Sequence, residues 1–399
     1  MKKKTQNNKF FVVLLFAGSY FSRFFHMPNE LTVILGGAIC LTLLIQQKKI
    51  RIDLGLCLLT ITLASYYVIS NGISGLFYAI LYIPLVIYVI GKYAICGSEA
   101  TRDLNGRLMA LLMAMIIGYT ILGVLNSYMY FAGYVVPGTR RWQDFWSREI
   151  VPGTQHTAYF LPALAMFFPA VMYFNKRKVL NSIFVVLTIF FCYTALVTKS
   201  RMQLVVFVIV CFVQLLLFLV FEKEKTKAIL SSKYTWIAAG SMILLFVAGF
   251  FAVKDTRVVV SFIDNLGDDG GILKNARFAG QRLAIGQLFT YPMGGRKMDF
   301  GALHNYCHNT WLDMANASGV IPFFAFTAYT VYTAIMLIRF LVKRNVSVET
   351  KIVTSGIYLS FFLYMTVESV FDASIHLLTP WIWVNTLICG YVSHVKEVP

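Results

Sequence analysis

Charge is scarce in this chain. Asp, Glu, Lys and Arg together make up 13% of its 399 residues, against about 25% in an ordinary soluble domain. That shortage excludes the two or three soluble domains that the length alone would suggest. It also excludes disorder, coiled coil and collagen. Acidic residues are the scarcer sign, with 18 Asp+Glu against 35 Lys+Arg. Paired cysteines are missing too. Cys40, Cys57, Cys96, Cys192, Cys211, Cys307 and Cys389 are scattered without a CxxC pair. Most lie in apolar runs, where Cys behaves as a small hydrophobe. Neither a disulfide framework nor a metal site is expected. No small-residue cleavage site follows the start MKKKTQNNKFF. It therefore reads as a basic cytoplasmic tail and a first membrane helix, not a signal peptide.

What is abundant is apolar: 58% of the residues are hydrophobic and 16% aromatic. A bilayer core needs ~20 apolar residues per helix. Twelve runs qualify, at about 10–26, 31–46, 54–70, 74–91, 108–133, 156–174, 179–198, 203–221, 235–253, 317–342, 352–371 and 376–394. The expected fold is an all-α, polytopic integral membrane protein of about twelve transmembrane helices, one membrane domain over 1–399 without internal repeats. A net charge of +17 would suggest nucleic acid in a soluble protein. Here basic residues pin cytoplasmic loops, and no nucleic-acid partner is expected.

Orientation follows from those basic residues. With the N-terminus inside, the cytoplasmic segments hold Lys2, Lys3, Lys4 and Lys9, then Lys48, Lys49 and Arg51, then Lys92, Arg102 and Arg107. Further along come Lys176–Lys178, Lys223–Lys233 and Arg339–Lys351. The expected topology is N-in, C-in. The remaining basic residues collect on the other side. Arg140, Arg141 and Arg148 lie in an outer loop near 134–155, and Lys199 and Arg201 at a tight outer turn. Lys254, Arg257, Lys274, Arg277, Arg282, Arg296 and Lys297 lie in the longest outer loop, about 254–316. These two long loops are expected to cap a site. Basic residues there run against the positive-inside bias, which points to a bound anion; ordinary loop solvation is the plain alternative. His26, His156, His304, His308 and His376 map to the same side, as do Trp142, Trp146 and Trp311. For the tryptophans an interfacial belt and sugar stacking both stand.

Three segments carry chemistry. Thr198-Lys199-Ser200-Arg201 joins two apolar helices. An arginine there is costly unless it pairs or faces an aqueous cavity, and its planar fork suits phosphate; a snorkelling anchor is the plain alternative. Residues 277–289 space their apolar positions as a short amphipathic helix on the membrane surface, with Arg277 and Arg282 near its start. A helix N-terminus with arginine favours anions. In His304-Asn305-Tyr306-Cys307-His308-Asn309-Thr310-Trp311-Leu312-Asp313, two histidines stand four apart. Neither a carboxylate cluster nor HExxH accompanies them, so a general base is favoured over a metal site. Nearby positive charge keeps such an imidazole neutral and able to accept a proton. Together these residues suit one reaction. Arginines hold a diphosphate leaving group and a histidine deprotonates an attacking hydroxyl, which leaves no need for a metal or other cofactor.

At these residues the chain resembles the superfamily of O-antigen ligases and O-antigen (Wzy-type) polymerases, bacterial membrane glycosyltransferases of GT-C-like architecture. Thr198-Lys199-Ser200-Arg201 resembles the family's Thr-x-Ser/Thr-Arg. Gln281-Arg282-Leu283-Ala284 with Tyr291-Pro292-Met293-Gly294-Gly295 resembles "Arg-Leu … His-Pro-Leu-x-Gly". His308-Asn309-Thr310-Trp311-Leu312 with Gly319-Val320-Ile321-Pro322 resembles "His-Asn-x-x-Leu … Gly-Leu-x-Gly", with Pro322 in place of the usual small residue. The resemblance implies that Arg201 and Arg282 bind the diphosphate of an undecaprenyl-linked glycan donor and that His308 activates the acceptor hydroxyl. It implies a metal-independent, inverting transfer on the trans face of a bacterial inner membrane. Arg277, His304, Asn309 and Trp311 are further substrate-binding candidates. A weaker likeness covers Arg148 with Gly153-Thr154-Gln155-His156, where the spacing departs from the family's. Glu368, an acid near the outer end of the eleventh span, is a candidate because charge in a membrane is costly; pairing with an arginine and positioning the acceptor both remain open.

Polymerase and ligase differ in the acceptor, another lipid-linked repeat unit or a lipid A–core oligosaccharide. Polymerisation is the preferred reading, and a chain-length regulator of the co-polymerase type is then a candidate partner. The rival from another class is a transporter or flippase of lipid-linked glycans. It fits twelve helices but lacks the repeats of many transporters and has few charges within its spans.

Overall fold

In a bilayer a long apolar run can satisfy its backbone only along its own helix. The architecture follows from that. A computed structural model of the chain describes residues 2–23, 29–47, 52–71, 83–96, 101–198, 200–224, 227, 276–301, 307–367 and 375–394. Five helices come first: α1 (Lys2–Ser22), α2 (Asn29–Gln47), α3 (Leu54–Asn71), α4 (Ile83–Cys96) and α5 (Thr101–Phe131). A hairpin of β1 (Arg141–Gln143) and β2 (Ile150–Pro152) follows, paired antiparallel with Trp142 opposite Val151. Then come α6 (Gly153–Ala158), α7 (Leu161–Ala165), α8 (Phe167–Met172), α9 (Lys178–Val197) and α10 (Arg201–Phe221). The last described helices are α11 (Ala276–Gln287), α12 (Thr310–Ser318), α13 (Val320–Leu341), α14 (Val348–Met365) and α15 (Ile375–His394).

Four stretches, Leu104–Phe131, Lys178–Val197, Met202–Phe221 and Val320–Leu341, are long and apolar enough to cross a membrane. Phe10–Ser22, Ile34–Leu43, Leu54–Ser70 and Ile83–Ile95 are shorter apolar helices. The protein is a helical membrane protein on this basis. The run expected at 235–253 lies outside the described residues. Val179, Val186 and Ile189 on α9, and Val208, Phe212 and Val220 on α10, stand exposed. In water each would forgo about 1.5–3 kcal/mol of burial; against lipid tails they forgo little. The interior is aromatic, with Tyr88, Tyr329, Trp381, Trp383 and Phe326 fully buried. Around it α13 packs on α3, α15 on α4, α1 on α5, and α10 on α14.

Three features depart from the sequence expectation. The span expected at 156–174 is three short helices, because Pro162 and Pro169 lack the N–H that a continuous helix requires. The outer loop at 134–155 is not helical but folds as the hairpin, so the fold is nearly rather than wholly α. Lys92, assigned from sequence to a cytoplasmic segment, is buried in α4. Its Nζ stands 2.7 Å from the Asp53 carboxylate, which also accepts from the Tyr88 hydroxyl at 2.9 Å. A buried ammonium needs such a partner.

Side-chain contacts gather several element ends at one end of the bundle, hereafter the hairpin end. The Trp146 indole donates to the Ser22 carbonyl at the end of α1. The Tyr130 hydroxyl of α5 lies 3.5 Å from the Val197 carbonyl at the end of α9. The Tyr364 hydroxyl of α14 donates to the Thr154 carbonyl at 2.6 Å. The Ser318 hydroxyl of α12 donates to the Tyr66 carbonyl of α3 at 2.9 Å.

Gly319 separates α12 from α13 with φ 83° and ψ −165°, a region open essentially to glycine alone. A Cβ there would collide with the Pro292 carbonyl. Gly319→Ala should therefore destabilise the protein by at least about 1–3 kcal/mol. Thermal unfolding in detergent should show a lowered midpoint, whereas Gly286→Ala, with open space around it, should not.

Candidate functional site at the hairpin end

The second and third sequence segments form one small unit with its own core. Ala284 on α11 and Leu288 just past its end pack with Met298, Phe300, Cys307, Leu312 and Ala315. Phe278 and Ile285 on α11, and Phe289 in the turn after it, stay exposed, as expected of an apolar face laid on a membrane surface. Backbone bonds seal the unit. Val320 N–H donates to the Pro292 carbonyl at 2.9 Å, Gly295 N–H to Ala317 at 3.1 Å, and Arg296 N–H to Asn316 at 2.7 Å. The Asn316 side chain accepts from Met298 N–H at 3.0 Å. The glycines of these segments thus serve close approach: a Cβ on Gly294 would meet the Gly319 and Ser318 nitrogens at 2.6 Å.

His308 sits where α12 begins. Asn309 caps that helix, its Oδ1 accepting from Leu312 N–H at 3.1 Å. Asp313, one turn on, reaches back to accept from Cys307 N–H at 2.9 Å and Asn309 N–H at 3.2 Å. His308 is held between these two fixed neighbours, at φ 51° and half-buried. That left-handed conformation costs about 1–2 kcal/mol in a residue with a Cβ. Strain of this kind persists only where surroundings impose it, and it gathers at functional sites. Arg23, Arg148 and Arg296 are the other non-glycine residues at positive φ among the described residues.

One carbonyl fastens the unit to the bundle. Thr366 ends α14, where helix carbonyls lack intrahelical partners. Its oxygen accepts from Gln281 Nε2 and from Asn309 Nδ2, each at 3.2 Å. Gln281 Nε2 also lies 3.3 Å from the His308 carbonyl. The residue next to Arg282 thus holds the backbone of His308, and Arg282 itself is exposed. The turn before α10 stands at the same height. Gln214 on α10 donates to the Ile352 carbonyl on α14 at 3.1 Å and lies against Gly356, while Phe221 lies against Lys351, so the two helices run antiparallel. With equal rise per residue, the start of α10 at Arg201 comes level with the end of α14. Ser200 at its N-cap makes no side-chain cap bond; its hydroxyl lies 3.3 Å from that of Thr198.

The backbones of Arg201 and Arg277 lie in α10 and α11, and their side chains lie outside the described residues. His304 and Glu368 lie wholly outside them. Trp311 is buried. Its indole N–H donates to Thr330 at 3.0 Å, and its ring packs on Phe326 and Phe362. These contacts account for its burial. Cys307, beside His308, is fully buried. Burial first, and then the Asp313 carboxylate, push its thiol well above the ordinary value, the setting of a structural cysteine. Among the described residues no group of three or more His, Cys, Asp or Glu could hold a metal ion.

Arg148 and His156 belong to a separate arrangement around the hairpin. The Arg148 guanidinium lies over the Phe145 ring, with Nη1 3.3 Å from Met129 sulfur. His156 is fully buried, stacked on Trp142 with Nε2 3.1 Å from the Trp142 carbonyl. Asn126 of α5 holds the hairpin: its Oδ1 accepts from Phe145 N–H at 2.8 Å and its carbonyl from the Trp142 indole at 3.0 Å. Asp144 accepts from the N–H groups of Trp146 and Ser147, each at 3.0 Å, and stands 3.8 Å from Arg23. Gln281 and Asp313 stand in the sequence segments without an assigned role, and Thr366 and Asp144 stand in none of them. Of these only Asp313 has a local signal, as the first-turn acid of the helix that Asn309 caps.

No family model matches the chain, and no curated protein matches it.

Burial alone would raise the Asp144 pKa, but the Ser147 N–H, Arg23, His156 and the Trp146 N–H hold it below the ordinary carboxylate value. Its stabilisation is therefore present above the unfolded pKa of about 3.9 and lost as pH falls through the lowered folded value. Hydrogen exchange over 134–152, corrected for intrinsic rates, should show the hairpin loosening only below about pH 4. In Asp144→Asn the hairpin should already be loosened at neutral pH, with no further acid step.

Proposed function

We propose that this protein is a membrane glycosyltransferase. It takes an oligosaccharide from undecaprenyl diphosphate on the trans face of a bacterial inner membrane and transfers it to an acceptor sugar hydroxyl, polymerising repeat units of a surface polysaccharide. The observation that carries this reading is the pair of hydrogen bonds that Gln281 and Asn309 donate to the Thr366 carbonyl. It joins the Arg282 helix, the His308 turn and the end of α14 at the height where α10 begins with Arg201.

The chemistry follows from those groups. The imidazole of His308 takes the proton of the acceptor hydroxyl. The freed oxygen attacks the anomeric carbon as its bond to the diphosphate oxygen breaks, with inversion. Arg201 and Arg282 meet the charge that develops on the departing diphosphate, as fixed cations do best in a site shielded from water. The lipid tail lies between helices. Cations gathered at one end of the bundle suit chemistry at one face better than alternating access. With a lipid A–core acceptor the same steps constitute ligation, so the acceptor alone separates the two enzymes.

Arg201→Ala, Arg282→Ala and His308→Ala should each abolish polymer on gels of membrane extracts without lowering the amount of folded protein. Arg282→Lys should rescue poorly, because an ammonium cannot form the bidentate contact. Gln281→Ala should reduce transfer with little change in protein level. Wild-type polymer in all three alanine variants would contradict the mechanism.

A further inference from the structure

The Gln203 amide makes no hydrogen bond to the fold among the described residues. It stands on the inward face of α10 with Val206, Val210, Gln214 and Phe218, each nearly or wholly buried. Gln214 uses its amide structurally, donating to the carbonyls of Ala165 and Ile352. Gln203 is 1% exposed, yet neither its Nε2 nor its Oε1 has a hydrogen-bond partner among the described residues. Native interiors pair such groups.

Its place gives the orphan amide a meaning. Gln203 lies in the first turn of a 21-residue helix, and side chains on a helix lean toward its N-terminus. That N-terminus has no side-chain cap, and such ends favour anions. A phosphate would satisfy only half of Gln203. Its oxygens could accept from Nε2 but could not donate to Oε1. Both atoms are satisfied together by a group that donates and accepts at once, such as a sugar hydroxyl or an acetamido group.

We infer that Gln203 recognises the sugar attached to the diphosphate, through a hydroxyl or acetamido group that pairs with both ends of its amide. This rests on the donor reading above, and it makes Gln203 a binding residue that selects glycan over bare lipid diphosphate. It also predicts opposite effects of one substitution. Replacing an unpaired buried amide by an apolar side chain of similar shape is neutral or stabilising for the fold, while it weakens binding of a ligand that pairs with that amide.

The experiment uses the full chain in detergent and three probes: polyprenyl diphosphate, the same lipid bearing an N-acetylhexosamine, and the same lipid bearing a hexose. Gln203→Met should unfold at the wild-type temperature or higher and bind bare polyprenyl diphosphate as the wild type does. It should bind at least one glycosylated probe roughly tenfold more weakly or worse. A loss confined to the N-acetylhexosamine probe assigns the acetamido group; a loss with both assigns a hydroxyl. Equal binding of all three probes by variant and wild type would overturn the inference and leave water as the partner of the amide. An equal loss for bare and glycosylated lipid would also overturn it, since Gln203 would then meet phosphate. If the wild type binds none of the probes, the donor reading itself fails. Gln203→Leu repeats the test should the methionine variant fold poorly.

Discussion

The site depends on what becomes of a single helix-end carbonyl. A helix that stops at a membrane face leaves its last carbonyls without intrahelical partners. In α14 the Thr366 oxygen is met by two side-chain amides from elsewhere in the chain, Gln281 and Asn309. One belongs to α11 and the other caps α12, so satisfying the carbonyl also fixes both helices on the bundle. His308 lies between them, its conformation dictated by Asn309 and Asp313. The left-handed turn is costly for a histidine, and the network around it outweighs that cost.

Polar groups at the hairpin end are treated in two ways. Around Asp144 they are satisfied almost completely: two N–H groups, the Asn126 amide and Arg23 surround one carboxylate. That network positions the hairpin against α1 and α5 and takes up Arg148 and His156. On the inward face of α10 the Gln203 amide is left unsatisfied.

Much of this was legible in the sequence. The apolar runs at 54–70 and 179–198 match α3 and α9 closely, since runs of that length leave the backbone little choice. The amphipathic spacing of 277–289 matches α11, which ends two residues earlier, at Gln287. Pro162 and Pro169 were visible but read as part of one span, because hydropathy averages over the missing N–H. The hairpin was not legible: its strands are three residues each, too short for alternation to register, and they depend on Asn126 far back in the chain. The same holds at the site. His308 and Arg282 stand in short motifs that local reading finds. Gln281 and Thr366 join across 85 positions, a pairing that no local pattern encodes.

The most direct test of the account is reconstitution of the purified protein with an undecaprenyl diphosphate-linked repeat unit as the sole substrate, with chelator present. The account predicts a ladder of longer lipid-linked glycans. No ladder, and no transfer after lipid A–core or another glycan acceptor is added, would contradict it.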